Sequence, residues 1–265
     1  MQTKQDYTPE KIYIIQPVTE QNASNYRVLQ QEAISLIESA GALYAGSLIQ
    51  NIREINPATF VGEGKLRELK ELLSGLDGIT ILFNGDLSPS QTLNISAALD
   101  NRKVIDRTTL ILDIFAKNAK SSEGKIQVEL AQLRYLYPRL KGKGSALSRL
   151  GGGVGTRGPG ETQLETDRRY IRGRLKYLEQ KLKETEKRRS FQTVRRKKNA
   201  VKTIALVGYT NTGKSTLMNL LTGAGVYVKN ELFATLDPTS RIFAIDDVEF
   251  LLVDTVGFLQ DLPHH

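Results

Sequence analysis

Gly208-Tyr-Thr-Asn-Thr-Gly-Lys-Ser215 fits the pattern G-x-x-x-x-G-K-[ST], and it narrows the possible folds more than any other stretch of the chain. The pattern works where a strand feeds a tight loop and the loop opens a helix, because backbone N–H groups then converge on one anion. Both neighbours are present: Thr203-Ile-Ala-Leu-Val207 reads as a buried-type strand, and Thr216–Leu221 as a helix. Gly208 and Gly213 let the backbone curl, Lys214 reaches for β- and γ-phosphates, and the Ser215 hydroxyl suits Mg²⁺. The requirement is met only by an α/β domain, expected over 200–265.

Downstream, Glu249-Phe-Leu-Leu-Val253 reads as an apolar strand ending in Asp254-Thr-Val-Gly257. An acidic residue at a strand end suits the outer Mg²⁺ shell through water, and Gly257 can present its N–H to a γ-phosphate. Phe233-Ala-Thr-Leu-Asp-Pro-Thr239 precedes the strand Arg241–Ile245. Read alone it is an ordinary loop; beside a phosphate loop, one of its threonines can close the Mg²⁺ shell as a switch element.

Residues 1–118 alternate strands and helices. Lys11–Val18, Ala42–Ile49, Gly78–Phe83 and Lys103–Ile105 read as strands, and Ser24–Ser39, Gly64–Ser74, Ser88–Leu99 and Thr108–Ala116 carry helical periodicity. Alternation of this kind implies βαβ units and a small parallel sheet. Val61-Gly-Glu-Gly-Lys65 resembles a phosphate-loop fragment but lacks the full spacing, and reads as a plain strand-to-helix turn.

Residues 119–199 change character. Ile126, Leu130, Leu133, Tyr137 and Leu140 form one helical stripe, and Leu164, Ile171, Leu175, Leu178 and Leu182 a second, which suits an antiparallel helical hairpin. Thr162 and Glu165 are spaced as a capping box for the second helix. The connection, placed at 141–160, is Gly-rich and carries Lys141, Lys143, Arg149 and Arg157 without an acidic residue. Such a loop suits an irregular RNA surface; a solvated linker is the plain alternative. From Asp167 to Lys198, fourteen cations face four acidic residues, a net +10 against +8 for the whole chain. That density, ending in Arg195, Arg196, Lys197 and Lys198, invites a phosphate backbone, although a charge run can also be merely a solvated face.

The chain has no Cys, which excludes disulfides and thiolate chemistry. The start, MQTKQDYTPEK, lacks an apolar leader, and no apolar run approaches membrane-spanning length, so a soluble intracellular protein is expected, associated with a membrane at most peripherally.

Together the motifs resemble the HflX GTPases of the Obg–HflX group. The resemblance is carried by RLGGGVGTRGPGETQLETDRR (Arg149–Arg169), GYTNTGKSTLMN (Gly208–Asn219), FATLDPT (Phe233–Thr239) and DTVGFLQDLPHH (Asp254–His265). It implies a small N-terminal parallel α/β domain, an antiparallel helical hairpin and the first half of a P-loop GTPase domain. It also implies a cytoplasmic, monomeric GTPase that binds the large ribosomal subunit and its rRNA and splits or rescues ribosomes under stress, with loop 141–160 near the peptidyl transferase region. By motif position, the nucleotide-binding residues are Gly208, Tyr209, Thr210, Asn211, Thr212, Gly213, Lys214 and Ser215, then Phe233, Ala234, Thr235, Leu236 and Asp237, then Asp254, Thr255, Val256 and Gly257. Ser215 and Thr235 ligate Mg²⁺, with Asp254 acting through water. Lys214, Thr235 and Gly257 carry catalysis. Asn211 stands where potassium-dependent relatives hold K⁺, although Asn is also comfortable in a turn. Phe258 follows Gly257 where Ras-like GTPases place a water-orienting Gln, so intrinsic hydrolysis is expected to be slow.

An N-K-x-D element, which reads the guanine edge, does not follow Ser215. The chain therefore reads as truncated after switch II, with an apolar sheet edge exposed, and guanine specificity rests on the resemblance. Two other functions stay open: a non-hydrolysing rRNA-binding module with a defective nucleotide site, and an ATP-using RNA remodeller.

Overall fold

The computed structural model describes residues 9–148, 159–198, 202–208, 212–223, 239–245 and 248–254; for Ser215, Thr239, Ile245, Asp254 and the segments 141–148, 159–164 and 188–198 it is the backbone that is described. By packing, the chain divides into two compact units, one of residues 1–111 with 139–146 and one of 112–138 with 147–265.

In the first unit, β1 (Lys11–Val18), β2 (Leu43–Asn51), β3 (Ile79–Phe83) and β4 (Val104–Asp106) form a parallel sheet in the order β2-β1-β3-β4. Helices α1 (Tyr26–Ala40), α2 (Glu63–Leu72) and α3 (Pro89–Ala98) connect them in turn, and α4 (Arg107–Asn118) follows β4. The expected strands and helices are all present, with no end shifted by more than two residues. β1 lies inside the sheet and every residue after Lys11 is buried, so apart from Gln16 its run KIYIIQPV is apolar on both faces, as a covered parallel strand must be. Right-handed crossovers require α1 on one face and α2 and α3 on the other, because the chain reverses direction across the sheet after β2. The core follows that division. Tyr13, Ile15, Ile81 and Phe83 join Leu66 and Leu69 of α2, its C-cap Leu73 and Ile95 of α3 in one apolar cluster. Ile12, Ile14 and Leu82 face the opposite way, and α1 buries Leu29, Ala33, Leu36 and Ile37.

Helix α3 starts with a capping box that the periodicity alone did not reveal. Ser88 Oγ accepts from Gln91 N at 3.2 Å, and Gln91 Oε1 accepts from Ser88 N at 2.9 Å, with Pro89 in the first turn. Val61–Lys65 is the strand-to-helix turn expected of it, with Gly62 as the N-cap of α2.

The second unit holds most of α5 (Ser122–Ser148), all of α6 (Pro159–Lys198), and a three-stranded sheet, β5 (Lys202–Leu206), β7 (Val248–Asp254) and β6 (Thr239–Ile245), in that order. β5 runs parallel and β6 antiparallel to β7. Helix α7 (Lys214–Thr222) follows the phosphate loop.

Three expectations need correction. The hairpin connection is 149–158, shorter than 141–160, because α5 continues to Ser148. Gly142 and Gly144 lower helix propensity, yet Ser145, Ala146 and Leu147 are compatible with the helix and no proline intervenes. Lys141 and Lys143 are therefore on helix α5. Likewise α6 begins at Pro159, whose fixed φ suits a first helical turn, so Thr162 lies inside the helix and cannot be its N-cap. Finally, β5 is not buried: Ile204 is 41% and the following Val207 is 62% exposed, since no described element covers that edge of the sheet.

At β2 the register slips by one residue between Ile12 and Tyr13, and Gly46 absorbs the bulge at φ +137°. A Cβ there would lie 2.6 Å from Tyr13 Cε2, a ring held in the core. Gly46→Ala should therefore lower stability by about 1–3 kcal/mol. The check is the urea midpoint, which should fall at an unchanged m-value.

Candidate functional site

The loop at the end of β5 has the local geometry that its residues require. Gly213 sits at φ +83°, ψ +14°, a left-handed conformation that glycine adopts without penalty, and it forms the N-cap of α7. Its carbonyl accepts from Leu217 N at 2.8 Å, so the helix begins directly from the curl. Lys214 Nζ donates to the Gly208 carbonyl at 3.0 Å, which places the ammonium back across the loop, close to its start. A Cβ at Gly208 would stand 3.4 Å from Thr212 Oγ1 and 3.8 Å from Lys214 Cδ, so the two ends of the loop approach closely.

Parallel pairing supplies the second half of the site. Leu206, the last residue of β5, is opposite Asp254, the last residue of β7, so the loop and the acidic residue leave the sheet at the same end. Met218 of α7 and Leu252 of β7 are almost fully buried and anchor helix and sheet beneath the loop. Ser215 occupies the first turn of α7. Hydroxyl and carboxylate oxygens are the hard donors that Mg²⁺ prefers, and a site with few protein ligands is usual for an ion that keeps its waters and binds phosphate. The donor set fits that ion. Among the described residues there is no cluster of three His, Cys, Asp or Glu that would hold a metal without a phosphate.

Of the other expected nucleotide residues, Thr212 is described and exposed in the loop. Tyr209, Thr210, Asn211, Phe233, Ala234, Thr235, Leu236, Asp237, Thr255, Val256, Gly257 and Phe258 lie outside the described residues, as do Arg149 and Arg157 of the hairpin connection.

The N-terminal sheet has an equivalent crevice, where strand order reverses between β1 and β3, the usual ligand position in open α/β sheets. Here the chain's own side chains occupy it. Asn84 Nδ2 donates to Gln16 Oε1 at 2.6 Å and to the Leu29 carbonyl at 3.1 Å, while Arg107 donates to Asn84 Oδ1 at 3.1 Å and pairs with Glu32 at 2.8 Å. Beside this network the Asp106 carboxylate, almost fully buried, accepts from Thr109 N at 2.9 Å and from Arg139 at 3.0 Å. A separate cavity of about 570 Å³, lined by residues of Gln50–Pro57 with Phe60 and Gly62, gathers none of the expected site residues.

The hairpin is held by apolar contact and by a cross-helix ionic seam. Val128 and Leu130 of α5 and Ile171 and Leu178 of α6 are buried. Glu129 grips Arg174 with two hydrogen bonds of 2.6 and 2.9 Å, Arg134 pairs with Glu179 at 2.8 Å, and Arg172 donates to the Tyr137 hydroxyl at 2.8 Å. The Glu129 hydrogen bonds also raise the Arg174 pKa. The pairing Glu129–Arg174 fixes the direction of α6. A parallel arrangement would ask the connection to span about 50 Å, whereas its length allows at most about 36 Å. The helices are antiparallel, as the two stripes predict. Lys141, Lys143 and Arg195–Lys198 fall at helical positions of α5 and α6.

A strand, a curled G-x-x-x-x-G-K-S loop, a helix and a parallel neighbour ending in Asp define the P-loop class. The comparisons narrow the class further. Residues 29–116 match the model of the GTP-binding GTPase N-terminal region, 118–196 that of the GTP-binding GTPase middle region, and 203–265 that of the 50S ribosome-binding GTPases. GTPase HflX of Caldanaerobacter subterraneus is 54% identical over 234 residues, which cover 88% of this chain and 54% of that protein. GTPase HflX of Escherichia coli is 49% identical over 235 residues, covering 88% and 55%. In Flavobacterium psychrophilum the identity is 45% over 265 residues, covering 99% and 63%. The chain thus spans about half the length of the curated relatives it matches. Among solved structures, the SsGBP and GDP complex superposes with a TM-score of 0.52 at 26% identity, covering 97% of this chain and 65% of that one. The chain belongs to the HflX family of GTPases.

Because the space around Gly213 is open, only its φ forbids a side chain. Gly213→Ala should cost about 1–2 kcal/mol. Hydrogen exchange at the amides of α7 should then speed up, while β1 and β3 keep their protection.

Proposed function

We propose that this chain binds GTP and GDP at the loop 208–215 and binds rRNA of the large ribosomal subunit through its hairpin, acting in ribosome splitting or rescue. The observation that carries the reading is the curled loop itself, with Gly213 left-handed and Lys214 folded across to Gly208, beside a strand that ends in Asp254. The loop amides and the start of α7 attract phosphate oxygens, and Lys214 supplies a mobile positive charge to the β- and γ-phosphates. Ser215 and Thr235 are the proposed direct ligands of Mg²⁺, and Asp254 a ligand through water. When bound, that ion neutralises charge developing on the phosphates. Thr235 and Gly257 are the proposed switch residues around the γ-phosphate, and Phe258, which cannot orient water, makes stimulation from the ribosome the expected route to hydrolysis. Asn211 is the candidate for K⁺; turnover on ribosomes that stays unchanged in Na⁺ would exclude it.

In this reading residues 1–118 and the hairpin 119–199 target the ribosome, and 200–265 carry the nucleotide. Lys141, Lys143, Arg149 and Arg157 near the hairpin connection, with Arg195, Arg196, Lys197 and Lys198 at the end of α6, are the proposed phosphate contacts. The protein acts as a cytoplasmic monomer. Among the described residues no helix is long and apolar enough to cross a membrane.

A second reading, rRNA binding without hydrolysis, draws on the apolar side chains left in solvent around β5–β7: Val207 at 62%, Leu220 at 81% and Ile242 at 60% exposed. Turnover on ribosomes separates the two readings.

The direct experiment is titration with fluorescent GDP and Mg²⁺, competed by GTP and by ATP. Displacement by GTP alone supports the proposal; equal displacement by ATP points to the RNA-remodelling alternative. Lys214→Ala should abolish nucleotide binding and spare RNA binding, and loss of both would overturn the separation of roles. Neutralising Arg195, Arg196, Lys197 and Lys198 together should reduce the slope of log K against log salt by up to about 3, and an unchanged slope would make that run a solvated face.

A further inference from the structure

We propose that Tyr170 and Tyr177 of α6 form a stacking site for an unstacked RNA base, seated over Gly173, with the flanking phosphates at Arg169 and Lys176. The inference rests on the reading of the hairpin as an RNA-binding element. The two tyrosines stand seven residues apart, two helical turns, and so share one face with about 10 Å between them along the axis. Both are left in solvent, Tyr170 at 72% and Tyr177 at 51% exposure, in a helix whose Ile171 and Leu178 are buried.

Gly173 lies between them, three residues after Tyr170 and four before Tyr177. A Cβ at this position would meet nothing within 4 Å, and its φ lies outside the left-handed range, so neither packing nor backbone conformation asks for glycine. Glycine inside a helix lowers its stability. What it supplies here is an open gap between two aromatic rings.

One ring of the pair is braced. The Arg174 guanidinium, gripped by Glu129, lies 5.4 Å from the Tyr177 ring centroid, and Lys181 Nζ lies 5.9 Å from it on the next turn. This limits the freedom that stacking would otherwise remove. Helical geometry puts Arg169 and Lys176 on the opposite flank, next to Gly173 and two turns apart. Both are exposed. A ring face offers any base a sequence-tolerant surface, and the adjoining cations hold the backbone, the combination by which single strands are bound. The net +10 of Asp167–Lys198 favours a nucleic acid over a protein as the occupant.

The test uses the full chain and a twelve-nucleotide single-stranded RNA carrying one 2-aminopurine, read by anisotropy and by quenching. Tyr170→Ala and Tyr177→Ala should each weaken binding about fivefold or more and relieve the quenching, with the salt slope unchanged. Tyr170→Phe and Tyr177→Phe should bind as the parent does, because stacking needs the ring and not the hydroxyl. Gly173→Leu, which favours the helix while filling the gap, should weaken binding like the alanine variants. Arg169→Gln with Lys176→Gln should lower the salt slope by about 1.4. Circular dichroism verifies that α6 remains helical. Alanine variants that bind as tightly as the parent, or Phe variants that fail, would overturn the stacking site while leaving the hairpin's RNA role standing. A parent chain that ignores the oligonucleotide at low salt would overturn both.

Discussion

Parallel pairing is the constraint from which the rest of this structure follows. Strands that run together end together, so every loop that leaves a strand's C-terminal end opens on the same edge of its sheet. In the β5–β7 pair this brings Leu206 level with Asp254, and a phosphate loop and an acidic residue far apart in sequence become neighbours without any special contact between them. The same rule acts on the N-terminal sheet with a different result. There the crevice between β1 and β3 collects Gln16, Asn84, Arg107 and Glu32, which satisfy one another. One edge carries a left-handed Gly213 with Lys214 folded back to Gly208, the other a closed network of buried side chains.

That contrast explains much of what could and could not be read from sequence. The phosphate loop was legible because its requirements are local: two glycines, one lysine and one hydroxyl within eight residues, flanked by a strand and a helix. β1 was legible because a strand covered on both faces must be apolar throughout, and residues 11–18 nearly are. The Gln16–Asn84–Arg107 network was not legible, since its members lie in segments separated by more than twenty residues and each alone looks like a surface polar group. The burial of β5 was misjudged for a related reason. An apolar sequence states what a strand can bury, whereas exposure depends on whether another element covers it, and no described element covers Ile204.

Helix ends were the other weak point. Two glycines after Leu140 suggested the end of α5, yet a helix propagates through single unfavourable residues because each added residue still gains a hydrogen bond. Pro159 outweighed Thr162 as a start signal, while the working capping box was Ser88 with Gln91. In the hairpin, the apolar stripes located the buried seam at Leu130, Ile171 and Leu178, but periodicity is silent on the ionic seam, where Glu129 and Glu179 offset part of the repulsion among the cations of α6.

The length of α6 has a mechanical consequence. Forty residues in one uninterrupted helix make a rod of about 60 Å. A rod of that length converts angle into distance: a tilt of about 5° at one end displaces the other by about 5 Å, roughly the spacing of one helical turn. Such a rod turns a small change of angle at one end into a shift of a helical turn at the other, with no change in its own shape.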